Sequence, residues 1–259
     1  MSSSADAICI HNLAKHYRKT VAVENLSLTV PKGCMFGFIG PNGSGKSTTI
    51  GSLTGLLEPT AGTIEILGER MTVDNADLKR RLGVMPETLG LFDPLYAHEF
   101  LAFVARMYGV PEDETRRRVV ELLKALELTD MRKMIGEYST GMRKRLTFAA
   151  AVIHSPDVLF LDEPFESIDP AGVAAMKKWL KRFTEQGRTV FITSHVLDTV
   201  ERFCDRVAVI TKPGKLVWEG DLAVLQNGGE LRHGNKAFRS LESLFLNLTG
   251  KNHADLAWL

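Results

Sequence analysis

The chain has 259 residues, 44% of them hydrophobic and 24% charged, and a formal net charge of +1. That is the composition of an ordinary soluble globular chain, long enough for one large domain or two small ones with a real core. It supplies no overall field to attract nucleic acid or anionic lipid, so no nucleic-acid partner is expected, and a membrane would be met through another protein.

The opening Met-Ser-Ser-Ser-Ala-Asp-Ala has no basic patch followed by an apolar core, so no signal peptide is expected. No window approaches the roughly 18 apolar residues of a membrane span. Residues 7–17 and 21–30 read as two strands, the second alternating through Val21, Val23, Leu26, Leu28 and Val30. Pro31-Lys32-Gly33 is a turn, and residues 35–39 form a short apolar strand. Cys9, Cys34 and Cys204 lie far apart among apolar neighbours, which suits buried free thiols in a reducing cytosol.

Directly after residue 39 stands Gly40-Pro41-Asn42-Gly43-Ser44-Gly45-Lys46-Ser47-Thr48, with a helix expected over 49–57. Strand, glycine loop and helix in that order, with the spacing G-x-x-x-x-G-K-[ST], make a phosphate-binding loop. Its backbone N–H groups turn inward on an anion, and the helix dipole adds to them. Lys46 then sits over the β- and γ-phosphates, and Ser47 offers a hydroxyl to Mg²⁺. The strand pair before the loop would lean over the base of the nucleotide, where Tyr17 could stack on adenine.

Residues 63–67 and 81–85 read as short strands joined by a polar link, the second stopped by Pro86. Helical spacing follows over 95–108, 112–126 and 141–153, with nothing strand-like between Pro86 and Pro156. Arg116-Arg117-Arg118 falls on one of these helices and reads as a solvated face. A helical subdomain, about 88–156, is thus expected inside an α/β core. The core resumes with Val158-Leu-Phe-Leu, a run suited to a strand buried on both faces, ending in Asp162-Glu163. Asp162 would meet the metal through water, and Glu163 would orient or deprotonate the attacking water. Another buried strand, Thr189-Val-Phe-Ile-Thr-Ser194, runs into His195, which alone reads as a structural residue beside Ser194 as a helix N-cap and in this context as a γ-phosphate sensor. Closing strands are expected over 205–211 and 215–218, a loop over 230–235, and a last amphipathic helix carrying Phe238, Leu241, Leu244, Phe245 and Leu248.

Tyr138-Ser139-Thr140-Gly141-Met142, lying between the glycine loop and Asp162-Glu163, resembles the signature motif of ABC-type ATPases. The ordered set Tyr17, residues 40–48, Glu87, Ser139, Gly141, Asp162, Glu163, Asp169 and His195 carries that resemblance over nearly the whole chain. It implies a P-loop NTPase core (α/β) with an N-terminal antiparallel β layer over 1–220, followed by a C-terminal extension over 221–259. It implies ATP and Mg²⁺ as cofactors, with Ser47, Glu87 and Asp162 toward the metal and Lys46, Glu163 and His195 in hydrolysis. It also implies a head-to-tail dimer, expected to be a homodimer, in which Ser139 and Gly141 of one copy face the ATP held by the other. Asp169, in Ser167-Ile168-Asp169-Pro170, would cross the dimer axis, although an N-cap before a proline explains it as well.

Two departures stand out. Glu87 replaces the usual metal-sensing glutamine, and Thr140 and Met142 replace the usual glycine and glutamine of the signature. A motif of the form Tyr-Ser-x-Gly-Met is similar to the branch serving separately encoded export permeases. The apolar run through Leu89, Leu91, Phe92, Pro94, Leu95, Tyr96 and Phe100 would then floor the groove that receives a permease helix, with the chain lying on the cytoplasmic face of the membrane. The rival readings are a non-transport ABC ATPase acting on nucleic acid or ribosomes, which usually carries coiled coils or a second ATPase unit not visible here, and a regulatory module that binds ATP without hydrolysing it.

Overall fold

The computed structural model describes residues 6–88 and 90–250. β1 (Asp6–Tyr17), β2 (Thr20–Pro31) and β3 (Met35–Ile39) lead into α1 (Lys46–Leu53). β4 (Ala61–Ile66), β5 (Glu69–Arg70), α2 (Ala76–Arg80) and β6 (Leu82–Met85) follow. Next come α3 (Ala97–Met107), α4 (Glu112–Ala125), a 3-10 turn (Ile135–Glu137) and α5 (Thr140–Val152). The core returns with β7 (Val158–Asp162), α6 (Pro170–Glu185), β8 (Thr189–Ser194), α7 (Leu197–Phe203) and β9 (Arg206–Thr211). β10 (Lys215–Asp221), α8 (Ala223–Gln226), β11 (Leu231–His233), β12 (Lys236–Phe238) and α9 (Leu241–Thr249) complete the described chain.

A six-stranded sheet has the order β10-β9-β3-β8-β7-β6. Its members from β9 to β6 are parallel, and β10 returns antiparallel. Every residue of β3, β7 and β8 is buried, because both faces of these strands are covered. On one face Phe36, Phe38, Phe160 and Phe191 meet Ile8, Ile10 and Leu13 of the antiparallel sheet β2-β1-β4-β5. On the other, Met35, Ile39, Leu161 and Ile192 meet the helices. Alternation along β3 therefore divides one short strand between two cores, and each fully buried large apolar side chain contributes about 1.5–3 kcal/mol.

The antiparallel layer has the two expected strands in register, Ile10 opposite Leu28 and Tyr17 opposite Thr20, with β4 added on the far side of β1. Between Pro86 and Pro156 the described residues form α3, α4, the 3-10 turn and α5, apart from an isolated bridge between Tyr96 and Met134.

Several expectations are corrected. α1 spans Lys46–Leu53 rather than 49–57: it opens at Gly45, the left-handed N-cap, and closes at Thr54, short of residue 57. Residues 230–235 are not a loop: β11 and β12 pair in a hairpin closed at Gly234-Asn235, tied to the core by Trp218 Nε1 donating to the Arg232 carbonyl at 2.8 Å. Phe238 belongs to that hairpin, and α9 begins at Leu241 behind the Ser240 cap. Arg116 and Arg117 are exposed, but Arg118 is partly buried and donates to the Ile153 carbonyl at the end of α5, 2.8 Å away. Cys34 and Cys204 are buried, whereas Cys9 is only partly so. Burial, with Asp205 nearby, pushes the Cys34 thiol up to about 12, and burial raises Cys204 as well, so both are inert thiols. Leu89 lies outside the described residues.

Candidate functional site

Parallel strands end at one edge, and the loops beyond their carboxyl ends make a crevice. Here the adjacent strands β3, β8 and β7 deliver, in turn, the glycine loop, His195 and the Asp162-Glu163 pair. A cavity of about 450 Å³ lies there, lined by Asn42, Gly43, Gly45, Lys46, Ser47, Thr48, Glu87, Asp162, Glu163, Glu166 and His195.

The loop is shaped by close approach. Gly45 has φ of 98°, and a Cβ there would lie 2.4 Å from the Ala22 carbonyl. A Cβ at Gly40 would lie 2.5 Å from Ser44 Oγ, so the chain folds over its own hydroxyl. Ser44 N donates to the Pro41 carbonyl at 3.1 Å, closing the turn. Ser44 Oγ is buried with no hydrogen-bond partner among the described residues. Lys46 is also buried, its Nζ donating to the Gly40 carbonyl across the loop at 3.0 Å. A cradle that excludes side chains, holds a lysine and opens a helix fits a phosphate chain.

Opposite the cradle stand carboxylates. Asp162 is buried and accepts a hydrogen bond from the Thr193 hydroxyl. Glu163 is held at every polar atom of its backbone and by one carboxylate oxygen. Its N–H donates to Thr193 Oγ1 and to the Thr193 carbonyl, both at 3.2 Å. Its carbonyl accepts from Lys144 Nζ at 3.0 Å, and its Oε2 lies 3.2 Å from His195 N and 2.9 Å from His195 Nδ1. Both side chains line the cavity, the His195 side chain 48% exposed and that of Glu163 8% exposed. The Ser47 hydroxyl with Glu87 and Asp162 makes an all-oxygen donor set, the chemistry that a hard divalent cation requires.

The remaining expected residues lie elsewhere on the chain. Tyr17 is 42% exposed, with Lys15 Nζ 5.3 Å above its ring. Ser139 caps α5 by accepting from Met142 N at 3.3 Å, and Gly141 passes close to the Ser167 carbonyl, where a Cβ would sit 2.9 Å away. Asp169 caps α6, accepting from Gly172 N at 2.9 Å. That backbone hydrogen bond, helped by Arg145, holds the Asp169 carboxyl below the usual carboxylate range. Ser139, Gly141 and Asp169 do not line the cavity. Ser194 ends β8 and caps no helix: its Oγ accepts from Val196 N at 3.0 Å in a tight turn, and α7 starts after Val196 with no side-chain cap. Sequence reasoning missed Thr193, Lys144 and Glu166. Thr193 carried a readable signal, a hydroxyl directly after the apolar run Val190-Phe191-Ile192 of a buried strand.

A family model described as ABC transporter matches residues 23–166. The linearmycin resistance ATP-binding protein LnrL of Bacillus subtilis is 38% identical over 77% of this chain and 64% of its own length. The bacitracin transport ATP-binding protein BcrA of Bacillus licheniformis is 37% identical over 80% of this chain and 67% of its own. The chain thus spans about two thirds, or slightly less, of the length of these relatives. Among solved structures, an ATP-binding subunit of an ABC transporter superposes with a TM-score of 0.82 at 30% identity, covering 93% of this chain and 99% of the other. A dimeric ATP-binding cassette in a post-hydrolysis state, bound to ADP and phosphate, gives 0.76 at 25% identity, covering 83% and 98%.

Proposed function

This chain belongs to the ABC transporter family, and from that premise we propose that it hydrolyses ATP in a dimer to drive export through a separate membrane permease. The observation that carries the reading is the convergence of Lys46, Ser47, Asp162, Glu163 and His195 on one cavity, with Glu163 and His195 2.9 Å apart. The glycine loop and Lys46 bind and orient the triphosphate of ATP. Mg²⁺, which Ser47, Asp162 and Glu87 would hold, neutralises phosphate charge when bound. Glu163 orients a water toward the γ-phosphorus and accepts its proton as the new P–O bond forms and the bond to the ADP oxygen breaks. His195 aims that carboxylate and meets the γ-phosphate. Tyr17 stacks on the adenine.

Ser139, Gly141 and Asp169 stand outside the cavity, which supports a second copy contributing them to the site of the first. The dimeric cassette to which this chain is similar supports the same arrangement. Names such as bacitracin transport and linearmycin resistance, borne by relatives, support export as the direction. No helix of the described residues is long and apolar enough to cross a membrane, so the proposed membrane contact runs through the permease, on its cytoplasmic face.

Glu163→Gln tests the reading, because it keeps the shape of the side chain and removes the base. Phosphate release from ATP is expected to fall a hundredfold or more, the order expected for loss of a general base, while Mg-ATP binding persists and closed dimers accumulate. Turnover at the wild-type rate would remove Glu163 from the reaction.

A further inference from the structure

The reaction described above makes no use of one buried cation. Lys144 lies on α5 with its side chain only 6% exposed. Its Nζ donates to the Glu163 carbonyl at 3.0 Å and stands 3.5 Å from a Glu166 carboxylate oxygen. Taking an ammonium out of water costs several kcal/mol unless it is paired and hydrogen-bonded. The neighbouring buried residues Leu146, Phe148 and Ala149 fill the same helix without that cost.

The carbonyl that Lys144 holds belongs to a strained residue. Glu163 has φ of 48°, a left-handed conformation that costs a non-glycine residue about 1–3 kcal/mol and persists only where surrounding contacts enforce it. Thr193 holds the N–H side of this residue and Lys144 the carbonyl side. The backbone angle between those two grips sets where the carboxylate points. Without the second grip, His195 alone would have to hold it.

We propose that Lys144 is a positioning residue that aims the Glu163 carboxylate through its main-chain carbonyl. Lys144 sits on the helix that Ser139 caps, so the same contact ties the setting of Glu163 to the helix end offered to a second copy. The inference rests on the reading of Glu163 as the water-activating carboxylate.

Lys144→Met keeps the aliphatic stem and removes the donor, whereas Lys144→Arg retains one. In steady-state phosphate release by the full chain, kcat of Lys144→Met is expected to fall about ten- to hundredfold, the scale of a misaimed catalytic group, with KM for ATP within about twofold of wild type. Lys144→Arg should recover most of the loss. Lys144→Met added to Glu163→Gln should lower turnover no further, because both changes act on the same carboxylate, and nucleotide-driven dimers of the double variant should still form. Wild-type kcat in Lys144→Met, a joint decline of kcat and ATP binding, or loss of dimers in the double variant would each overturn the proposal. If Lys144→Met fails to fold, Lys144→Gln, a neutral donor of similar length, takes its place and should give an intermediate kcat; a wild-type kcat would overturn the proposal. If the wild-type chain released no phosphate, or Glu163→Gln had no effect, the reading of the whole site would fail. Hydrolysis that depends on Glu163 but not on Lys144 would sink this inference alone.

Discussion

His154 shows how a single partly buried group can influence stability at a distance from the cavity. It stacks on Tyr108 with ring centroids 3.7 Å apart, and its Nε2 lies 3.0 Å from the Leu82 carbonyl. Burial drives its pKa down to about 4, against the Leu82 hydrogen bond, which raises it, and Arg118 lowers it further. The folded value lies below the unfolded one, so the unfolded chain takes up the proton first as pH falls. The neutral ring therefore stabilises the fold fully above about pH 6.5, and that contribution is lost as pH drops toward 4. The loss amounts to roughly 3 kcal/mol by linkage. Urea midpoints measured at pH 7.5 and pH 4.5 should show a clear fall in the wild type and a smaller one in His154→Gln. Equal slopes in the two proteins would assign the acid sensitivity to other groups.

At the level of elements, residues 90–96 and α3 leave two aromatic side chains in solvent. Phe92 is 55% exposed and Phe103 47%, and Phe92 lies edge-on to Phe103 with centroids 6.2 Å apart. Phe100 is buried beneath them, and Asp93, the residue after Phe92, is bound by Arg143 of α5 at 2.7 Å. Isolated surface aromatics are ordinary, but a pair close in sequence to Glu87, which lines the cavity, suits an apolar helix from a partner. Phe92→Asp should leave folding and basal phosphate release near wild type and abolish co-purification with the proposed permease. Undiminished co-purification would move the groove elsewhere. Leu91 is a poorer probe than its sequence position implied, since it packs against the core.

The same segment marks where sequence reading reached its limit. Strands buried on both faces and helices of three turns were legible from their periodicity, and the glycine loop from its spacing. α2, α7, α8 and β5 each hold seven residues or fewer, too short for a period to emerge. Gly234-Asn235 was readable as a turn, but that it joins strands depends on what Trp218 and α9 pack against. The pairing of Glu163 with His195 was legible as two separate motifs. Its dependence on Thr193 and Lys144 was not, because those contacts join residues 30 and 19 positions apart.

Across the whole molecule, the two groups of site residues stand on different surfaces. Ser139 is exposed at the tip of α5, and Lys46 is buried under the loop at the end of β3. If two copies share their sites head to tail, Ser139→Arg and Lys46→Ala should each abolish hydrolysis alone. An equimolar mixture should recover about a quarter of wild-type activity, since half the dimers pair unlike chains and each of these keeps one intact site. Recovery near zero or near full activity would contradict shared sites. The strand order has a further consequence during synthesis. β3 is flanked by β8 and β9, so the segment that leads into the phosphate cradle has both its neighbours in the last third of the chain. A ribosome adding about 5–20 residues per second takes on the order of 10–30 seconds to reach them. Through that interval Phe36 and Phe38 have the N-terminal antiparallel layer and α1 to pack against, both complete much earlier. That layer, closed by β4 and β5 soon after β3 itself is made, is complete well before β8 and β9, so one face of this apolar strand has a packing surface while its sheet partners are still to come.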